Sequence, residues 1–496
     1  MRSAFHGSLR KPLPVTFRFV MGDTTPAFRA EGEALLERWA KVGTGTRRLG
    51  LVDGWQLHID KHVLRAAEAG SEEAVLREWL IRGTESGQLI RQEVASMLPG
   101  ALVGVEANST VLDMCAAPGS KTTQLVERLG EGGVVVANDV DALRAYTLVK
   151  RTSSLGARAA ALVVTNHRAQ CMPRLPLLAG GANGANGGAV EGGYDRIICD
   201  VPCTGDGTTR KHPEVFARWE PALAMRHHPL QLQIAMRGAA LLEVGGTMIY
   251  STCSLNPIEN ESVVAELLRR CGGALELCDG AAETATALAG GCAPGMTYWP
   301  VLDFTLTRRD DYEAAVQATS VEQGKRLFMR SMWPPSTLEA NRLRLNRCVR
   351  LLAHRSDSGG FFVAKLTKVR PMQPHAAPRW PRAVDAAAPA ADDDAPELAT
   401  VHQYAPVADT VLASLAPELP TTTGGSKMRK AGWARRLHAR SDAAAHVVYL
   451  SESAGRCVAK GSKLRVVHAG ATVFKKQRRR DGSVYCLTAE GRALLG

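Results

Sequence analysis

Two cysteines follow short apolar runs of strand length, at positions where a thiol could take part in chemistry. Cys203 comes after the run at 196–200, and Cys253 comes after the run at 247–251. If both runs are parallel strands of one sheet, their carboxyl ends meet at one edge, where ligands bind. A single cysteine is more often a small buried apolar residue, but two converging thiols flanked by polar loop residues favour catalysis.

Methylation of a pyrimidine ring carbon is a reaction that needs two such thiols. Carbon-5 of cytosine is a poor nucleophile, and a thiolate that adds to carbon-6 gives carbon-5 the reactivity of an enamine. The proton on carbon-5 must then leave so that the thiol can be eliminated, and a second cysteine can assist this release. Asp200 could protonate ring nitrogen-3 if it is partly desolvated. The base must be flipped out of its stack to reach such a pocket.

A loop of small residues separates the first predicted strand from the helix that follows it. The loop residues are Ala116, Ala117, Pro118, Gly119 and Ser120. In an open parallel sheet this junction binds nucleotides, and Lys121 with the free N–H groups of the helix start favours an anion. The loop matches neither GxGxxG nor GxxxxGK[ST], so a diphosphate or triphosphate is not expected.

An acidic residue lies at the spacing from this loop that a ribose would require. Asp139 ends the second predicted strand, 20 residues after Gly119, and a carboxylate there can accept hydrogen bonds from two ribose hydroxyls. The loop and Asp139 together indicate an adenosine-bearing cofactor without phosphates, such as S-adenosylmethionine. The alternative is a structural strand–helix turn with a surface aspartate.

Strand-length and helix-length segments alternate after residue 110, which predicts an α/β fold with a parallel sheet and helices on both faces. The strand segments are 111–114, 134–139, 160–166, 194–202 and 245–253. The late segment 359–369 is β-rich and is expected to close the sheet edge. Nearer the N-terminus, Ser71 is expected to cap a helix over 71–81, and the helical pattern resumes over 88–98.

Composition indicates a globular protein with its excess charge at one end. The 496 residues are 45% hydrophobic, and eleven cysteines without a CxxC pair indicate free thiols in a reducing compartment. We find no transmembrane run and no apolar core of a secretory signal. The net charge is +12, and residues 424–496 hold 16 basic against 4 acidic residues. Such a basic end indicates a nucleic-acid partner, although a solubilising tail or a nuclear import signal at 475–480 would explain it equally.

Several long motifs occur in the order in which the Sun-domain RNA cytosine-5 methyltransferases carry them, and the chain closely resembles that family. The nearest likeness is the eukaryotic branch that methylates tRNA at several positions. The matching stretches are LRKPLPVTFRF (9–19), GTESGQLIRQEVASMLP (83–99), VLDMCAAPGSKTTQLVE (111–127), VANDVDALR (136–144), TNHRA (165–169), YDRIICDVPCTGDGT (194–208), TCSLNPIENESVV (252–264) and GGFFVAKL (359–366).

The resemblance implies a role for each matching residue. Cys253 would be the nucleophile, Cys203 would assist product release, and Asp200 would contact base and cofactor. The residues that would bind S-adenosylmethionine are Cys115, Ala116, Ala117, Pro118, Gly119, Ser120, Lys121, Asp139, Arg168 and Asp200. The residues that would contact RNA are Arg91, Gln92, Lys211 and His212.

Arg168 stands where relatives have an aspartate for the adenine amino group of the cofactor. An arginine side chain offers no hydrogen-bond acceptor. A backbone carbonyl could replace the missing carboxylate, the affinity for the cofactor could be lower, or the adenine end could be arranged differently.

The expected organisation has four parts. Residues 1–105 form an N-terminal substrate-binding region, and 106–370 form the methyltransferase domain, with a Rossmann-like class I sheet. Residues 371–423 are expected to be a disordered or acidic linker, and 424–496 a small basic β-rich region that resembles the start of a PUA domain. The stretches 180–193, 280–291 and 383–399 are interpreted as linkers or insertions.

The first hypothesis is a tRNA cytosine-5 methyltransferase, assumed to be a monomer, that uses S-adenosylmethionine and needs neither metal nor membrane. The alternatives are a cytosine-5 methyltransferase for ribosomal or messenger RNA and a non-catalytic RNA-binding protein on the same fold. The non-catalytic alternative is disfavoured by the presence of Cys203, Cys253 and Asp200, because RNA binding alone needs none of these residues. A nuclear location, the nucleolus included, is expected; the cytoplasm and the mitochondrion stay open.

Overall fold

The computed structural model describes most of the chain and divides it into two compact units. The described residues are 2–41, 46–50, 52–177, 190–319, 327–373, 404–406, 436–439, 446–458, 464–479, 482–488 and 494. Unit 1 comprises Met1–Gly104, Ile198–Ala240 and Val244–Pro378, and unit 2 comprises Val105–Ile197, Leu241–Glu243 and Arg379–Gly496. The linker predicted at 383–399 and most of the stretch 180–193 lie outside the described residues.

Strands and helices alternate through both units. The strands are β1 (Pro14–Phe19), β2 (Arg47–Leu49), β3 (Gly54–Asp60), β4 (Leu89–Arg91), β5 (Thr110–Asp113), β6 (Val134–Asn138), β7 (Leu162–Thr165), β8 (Leu175–Leu177), β9 (Val190–Gly192), β10 (Tyr194–Asp200), β11 (Leu242–Thr252), β12 (Leu275–Leu277), β13 (Ala293–Pro294), β14 (Val301–Leu302), β15 (Arg308–Arg309), β16 (Val349–Leu351), β17 (Phe361–Lys368), β18 (Ala405–Pro406), β19 (Leu437–Ala439), β20 (His446–Tyr449), β21 (Val466–Ala469), β22 (Ala471–Arg479) and β23 (Gly482–Leu487).

The α-helices vary from one turn to nearly six. They are α1 (Arg2–Leu9), α2 (Pro26–Lys41), α3 (Lys61–Ala66), α4 (Glu72–Glu85), α5 (Val94–Leu102), α6 (Ser120–Val126), α7 (Ala142–Thr152), α8 (Glu214–Ala217), α9 (Pro221–Leu241), α10 (Glu261–Cys271), α11 (Ala281–Ala289), α12 (Tyr312–Ala318), α13 (Thr337–Leu343), α14 (Ala353–Ser356) and α15 (Glu452–Val458). Within the described residues, none of these helices is long and apolar enough to cross a membrane.

Three parallel strands form the centre of the sheet in unit 2. β6 runs parallel to β5 and to β7, with Val135 paired to Val111 on one side and to Leu162 on the other. Every residue of β6 and β7 is buried, as expected for a parallel sheet covered on both faces. Because α6 follows β5 and α7 follows β6, the predicted α/β fold with a Rossmann-like sheet is confirmed.

The C-terminal region supplies the last strand of this sheet. β21 pairs antiparallel with β7. Ser451 N–H donates to Ala160 O at 2.8 Å, and Ser453 Oγ donates to Gly132 O at 2.6 Å. The described parts of 424–496 are β-rich, because β19, β20, β22 and β23 lie in one sheet. β18 in the same sheet comes from the stretch 371–423, so its described residues 405–406 are a paired strand and not a disordered linker.

The sheet in unit 1 is antiparallel around β17. β17 pairs with β11 on one side and with β16 on the other, and β13 pairs in turn with β16. The expectation that segment 359–369 closes the sheet edge is therefore wrong, because two further strands lie beyond it. Both of those strands are very short, which leaves few unpaired backbone groups at the edge.

The N-terminal residues of unit 1 form a small sheet of order β2-β3-β1-β4. Its core packs Trp79 against Phe17, Phe19 and Phe28. Ser71 caps α4 as predicted, with its Oγ accepting from Ala74 N–H at 3.2 Å. The predicted helix over 88–98 is wrong in its first half, because pairing with β1 satisfies the backbone of β4 and α5 begins only at Val94.

The stretch 280–291 is a packed helix and not a linker. Four residues of α11 are buried: Ala281, Ala285, Leu288 and Ala289. Gly280 and Gly290 flank the helix in the left-handed conformation, with φ of 80° and 77°. The glycines here act as helix caps, so the linker interpretation mistook capping residues and small core residues for a flexible composition.

Candidate active site

Two strand ends position the cysteine loops of unit 1. β10 ends at Asp200 and β11 ends at Thr252, and Val201 N–H donates to Ser251 O at 3.1 Å. The apolar residues just before these ends are fully buried: Ile198, Cys199, Met248, Ile249 and Tyr250. Burial of these side chains holds both strands in place, so the loops that follow them begin side by side.

The structure brings the two cysteine side chains together. Cys203 Sγ lies 3.3 Å from Cys253 Sγ, and both residues are half-buried. A methyl group built on Gly205 would lie 3.9 Å from Cys253 Sγ, so the absence of a side chain at this position leaves space beside the thiol. Two sulfur atoms so close can act on one substrate group.

The surroundings of Cys203 favour its protonated form. The hydrogen bond with Cys253, burial, and the charges of Glu259 and Asp200 raise the pKa of Cys203 well above that of a free thiol. Cys203 therefore keeps its proton. Either sulfur can be the donor in the contact between the two thiols.

Asp200 lies half-buried where β10 ends. Its Oδ1 accepts a hydrogen bond from Ser251 Oγ at 2.7 Å, which orients the carboxyl group. Pro202 is exposed beside Cys203 and offers an apolar surface to a flat ligand. The strand end thus places a carboxyl group and a thiol only three residues apart.

A buried glutamate that the sequence analysis did not single out holds the Cys203 loop. Glu259 is fully buried, and its carboxylate accepts from Thr204 N–H at 2.9 Å, from Thr204 Oγ at 2.6 Å and from Gln231 Nε2 at 3.0 Å. Gln231 Nε2 also donates to Pro202 O at 2.9 Å. The available signal was the membership of Glu259 in a matching motif, whereas nothing in the sequence pointed to Gln231.

Backbone hydrogen bonds tie the two cysteine loops to a third segment. Gly207 N–H donates to Cys253 O at 2.9 Å, and Gly360 N–H donates to Gly207 O at 2.7 Å. A methyl group on Gly207 would lie 2.4 Å from Gly360 O and 2.7 Å from Cys253 O, so glycine alone fits. Asp206 Oδ1 also accepts from Leu255 N–H at 2.6 Å, which adds a second bond between the loops.

The loop predicted to hold the cofactor is built in unit 2. Gly119 has a φ of 104° and is the residue that precedes α6, so a side chain there would be strained. Asp139 accepts from Ala117 N–H at 3.2 Å and from Asp141 N–H at 3.0 Å. Arg144 Nη2 donates to Ala117 O at 2.8 Å. The end of β6 and the loop after β5 are thereby bonded to each other.

These residues fit an adenosine-bearing cofactor. Asp139 is 2% exposed, and burial raises its pKa. Its Oδ1 accepts one N–H bond, and its Oδ2 accepts one and also lies 3.5 Å from Arg144 Nη2. Oδ1 in particular keeps acceptor capacity for a ribose hydroxyl. Of the other loop residues, Ala116, Ala117 and Gly119 are buried, Pro118 is exposed, and Cys115, Ser120 and Lys121 are half-buried. In the part of the chain that the structure describes, no group of three or more His, Cys, Asp or Glu side chains could hold a metal ion.

Arg168 is exposed, whereas the two residues before it are bonded to the C-terminal region. Asn166 N–H donates to Arg465 O at 3.0 Å, and Arg465 N–H donates to His167 Nε2 at 2.8 Å. Burial lowers the pKa of His167 to about 4, so the accepting ring nitrogen is unprotonated at neutral pH. The segment expected at the adenine end of the cofactor is thus held by residues almost 300 positions later in the chain.

The four residues expected to contact RNA lie in different environments. Arg91, Lys211 and His212 are exposed. Gln92 is 5% exposed; its side chain accepts from Arg18 Nε at 3.0 Å and donates to Ser96 O at 3.1 Å. The amide group of Gln92 therefore serves the packing of unit 1 in this structure.

Comparison with known proteins identifies relatives of the chain. A family model described as 16S rRNA methyltransferase RsmB/F matches residues 101–367. The chain is 40% identical over 326 residues to a tRNA (cytosine(34)-C(5))-methyltransferase of Drosophila melanogaster, covering 64% of this chain and 41% of the relative. It is 41% identical over 322 residues to a multisite-specific tRNA:(cytosine-C(5))-methyltransferase of Saccharomyces cerevisiae, covering 64% and 43%. A Schizosaccharomyces pombe enzyme with the same description, trm4b, is 35% identical over 403 residues, covering 74% and 56%.

The chain spans about half the length of the curated relatives it matches. The range matched by the family model contains the two cysteine loops and the loop after β5. Because this range is more than half of the 496 residues, the chain belongs to the RsmB/F methyltransferase family.

Proposed function

We propose that the chain is an S-adenosylmethionine-dependent RNA cytosine-5 methyltransferase that acts on tRNA. The observation that carries this proposal is the 3.3 Å approach of Cys203 Sγ to Cys253 Sγ at two strand ends. Two half-buried thiols in polar loops add little to packing, whereas addition to a pyrimidine ring and the later elimination use both. The names of three relatives, all tRNA cytosine-C5 methyltransferases, support tRNA as the substrate.

Cys253 is the nucleophile in this proposal. Its thiolate forms a bond to carbon-6 of cytosine, which makes carbon-5 able to accept a methyl group. After methylation a water molecule takes the proton from carbon-5, the electron pair of that C–H bond re-forms the double bond between carbon-5 and carbon-6, and Cys253 leaves carbon-6 as a thiolate. Cys203 keeps its proton because its pKa is raised, so its S–H can hydrogen-bond to the Cys253 sulfur as that sulfur departs from carbon-6.

The remaining residues bind and orient. S-adenosylmethionine, when bound, supplies the methyl group. The loop from Cys115 to Lys121 and the Asp139 carboxylate would hold its methionine and ribose parts. Asp200, oriented by Ser251, is proposed to protonate or hydrogen-bond ring nitrogen-3 and so to relieve the charge that addition creates.

Trapping of a covalent adduct tests the reaction. An RNA that carries 5-fluorocytosine cannot lose a proton from carbon-5, so the enzyme stays bound to the ring after methylation. The wild-type protein with S-adenosylmethionine should give a denaturation-resistant adduct on this RNA, and Cys253→Ala should give none. Cys203→Ala should accumulate an adduct even on ordinary cytosine RNA. Normal methylation by Cys253→Ala would show that the nucleophile is wrongly assigned.

Ribosomal RNA is the second candidate substrate, because the matching family model carries that description. Both substrates present the same ring to the same cysteines, so the site does not discriminate between them. Bisulfite sequencing of cellular tRNA and ribosomal RNA, with and without the protein, separates the two. A protein that binds RNA but shows no calorimetric binding of S-adenosylmethionine would instead be a non-catalytic RNA-binding protein.

The location of the protein in the cell is a separate proposal. The basic C-terminal region supports a nuclear location, because clusters of lysine and arginine are read as import signals. A fluorescent fusion of the whole chain should accumulate in the nucleus. Exclusion of the fusion from the nucleus would contradict this proposal.

A further inference from the structure

Phe216 is an exposed phenylalanine on α8, close in sequence to the Cys203 loop. Its residue surface is 71% exposed, whereas six other phenylalanines are at most 6% exposed: Phe17, Phe19, Phe28, Phe328, Phe361 and Phe362. A large apolar ring that stays in water forgoes the favourable transfer into the core. An isolated exposed ring needs no explanation in itself, so its surroundings decide whether it serves a ligand.

The segment that carries Phe216 is fixed to the cysteine loops. Lys211 N–H and His212 N–H both donate to Thr208 O, at 2.8 Å and 2.9 Å, and Phe216 N–H donates to Pro213 O at 3.1 Å. Trp219 donates a side-chain hydrogen bond to Asp206, whose carboxyl group accepts from Leu255 N–H. The ring is therefore presented from a short, bonded helix and not from a free loop.

The charge around Phe216 is positive once the local acids are accounted for. Lys211 and Arg218 are exposed. Glu214 lies 3.2 Å from His212, which carries charge only when protonated, and Glu220 pairs with Arg226 at 3.3 Å. Counting Lys211, Arg218 and Arg226 against Glu214 and Glu220 leaves one net positive charge. An exposed aromatic ring among exposed cations is the composition that binds single-stranded nucleic acid, with the ring stacking on a base and the cations on phosphates. Trp219, three residues along the chain, is 37% exposed and adds a second aromatic side chain to this charged segment.

We propose that Phe216 is a stacking platform for an unpaired base of the RNA that the cysteine pair receives. This inference rests on the proposed function and adds to it the kind of RNA: the segment around the target cytosine is single-stranded, and one of its bases lies on the Phe216 ring. Lys211 and Arg218 contact the phosphates beside that base. Phe216 positions the substrate and takes no part in bond making.

Salt titration separates stacking from ionic binding. The probe is a stem–loop RNA with one loop cytosine and a neighbouring 2-aminopurine, measured by fluorescence at several salt concentrations. Phe216→Ala should weaken binding about tenfold, within the range of one base–aromatic stack, without changing the salt dependence. Lys211→Ala should reduce the salt slope by roughly one ion. Phe216→Trp should restore the affinity and the quenching of 2-aminopurine.

Phe304→Ala is the matched control, since Phe304 is 52% exposed on another segment and its loss should leave binding unchanged. Each variant is checked for an unchanged thermal unfolding midpoint. Equal affinity of Phe216→Ala and wild type, or an equal loss on a fully double-stranded RNA, overturns the proposal, as does a wild type that binds no RNA. If the wild type binds RNA with the expected Phe216 dependence but forms no covalent adduct, the proposed reaction fails while the stacking surface stands.

Discussion

Gly207 N–H lies 2.9 Å from the carbonyl oxygen of Cys253. This bond joins the loop after β10 to the loop after β11, so that the position of each cysteine depends on the other loop. Gly360 O approaches Gly207 so closely that any side chain there would collide with backbone atoms on two sides. The separation of the two thiols is thus set by backbone contacts of glycine.

Replacing Gly207 by alanine should impair the cysteine pair. The new methyl group would have to displace the backbone of Gly360 or Cys253, at a cost of about 1–3 kcal/mol for overpacking. We expect adduct formation on 5-fluorocytosine RNA to slow at least tenfold, measured in single-turnover experiments. Gly50→Ala is the control, because nothing lies within 4 Å of its added methyl group. A normal adduct rate in Gly207→Ala would contradict the backbone account.

Removing the Glu259 carboxylate should loosen the loop that carries Cys203. Glu259→Ala removes the acceptor of Thr204 N–H, whereas Thr204 Oγ keeps Ser254 Oγ and Gln231 Nε2 keeps Pro202 O as partners. The loss of an acceptor costs roughly 1–3 kcal/mol. We expect a lower free energy of unfolding in urea and a lower kcat for methyl transfer, with an unchanged Kd for S-adenosylmethionine. A variant that loses stability but keeps kcat would show that the Glu259 network does not position the thiol.

Acid should destabilise the folded chain through two buried histidines. Burial lowers the pKa of His167 and of His228 to about 4, from the ordinary 6.5. Between these values the unfolded chain binds protons that the folded chain does not, so the free energy of unfolding falls as the pH drops from 6.5 to 4. Since His228 is fully buried, its share is on the order of 2–3 kcal/mol.

Unfolding by urea at a series of pH values measures this effect. His228 Nδ1 donates to Ile258 O at 2.7 Å, and its Nε2 accepts from Ser331 Oγ at 2.8 Å. His228→Gln should lower stability at pH 7 and flatten the dependence below pH 6.5. His62→Gln, at an exposed position, should change neither. An unaltered slope in His228→Gln would mean that His228 is not held neutral.

An acidic residue in place of Arg168 should strengthen cofactor binding. The exposed arginine offers no acceptor for an adenine amino group, whereas a hydrogen bond to a carboxylate contributes about 1.5–3 kcal/mol. We expect Arg168→Asp to lower the calorimetric Kd for S-adenosylmethionine about tenfold. Arg342→Asp on α13 makes the same charge change at another exposed position and should have no effect. Equal changes in both variants would indicate a general charge effect.

The basic C-terminal region should contribute salt-sensitive RNA affinity. Deleting this region would also remove β21 from the edge of β7, so point variants are the cleaner test. Lys475 is exposed on β22, and Lys475→Ala should lower RNA affinity at low salt and reduce the salt slope by roughly one. If the salt dependence of RNA binding does not change, the charge of this region serves solubility or nuclear import and not RNA binding.

Local sequence patterns predicted much of the fold and of the candidate active site. Ser71 before an amphipathic run predicted its own helix cap, and the apolar runs at 134–139 and 194–202 predicted β6 and β10. The positions of Cys203 and Cys253 just after two such runs were enough to expect that their thiols converge. These inferences succeed because the positions of strands and their burial follow from short-range periodicity.

Contacts between distant segments could not be predicted from local sequence patterns. No local sequence pattern determines which distant segments pair with each other. Three such pairings were therefore not predicted: β4 with β1, the strands beyond β17, and β21 with β7. The same holds for Gln231 beside Glu259 and for Gly360 against Gly207. Spacing along the chain could place two thiols at one sheet edge, but the 3.3 Å between them depends on hydrogen bonds between residues as distant in sequence as Gly207 and Gly360.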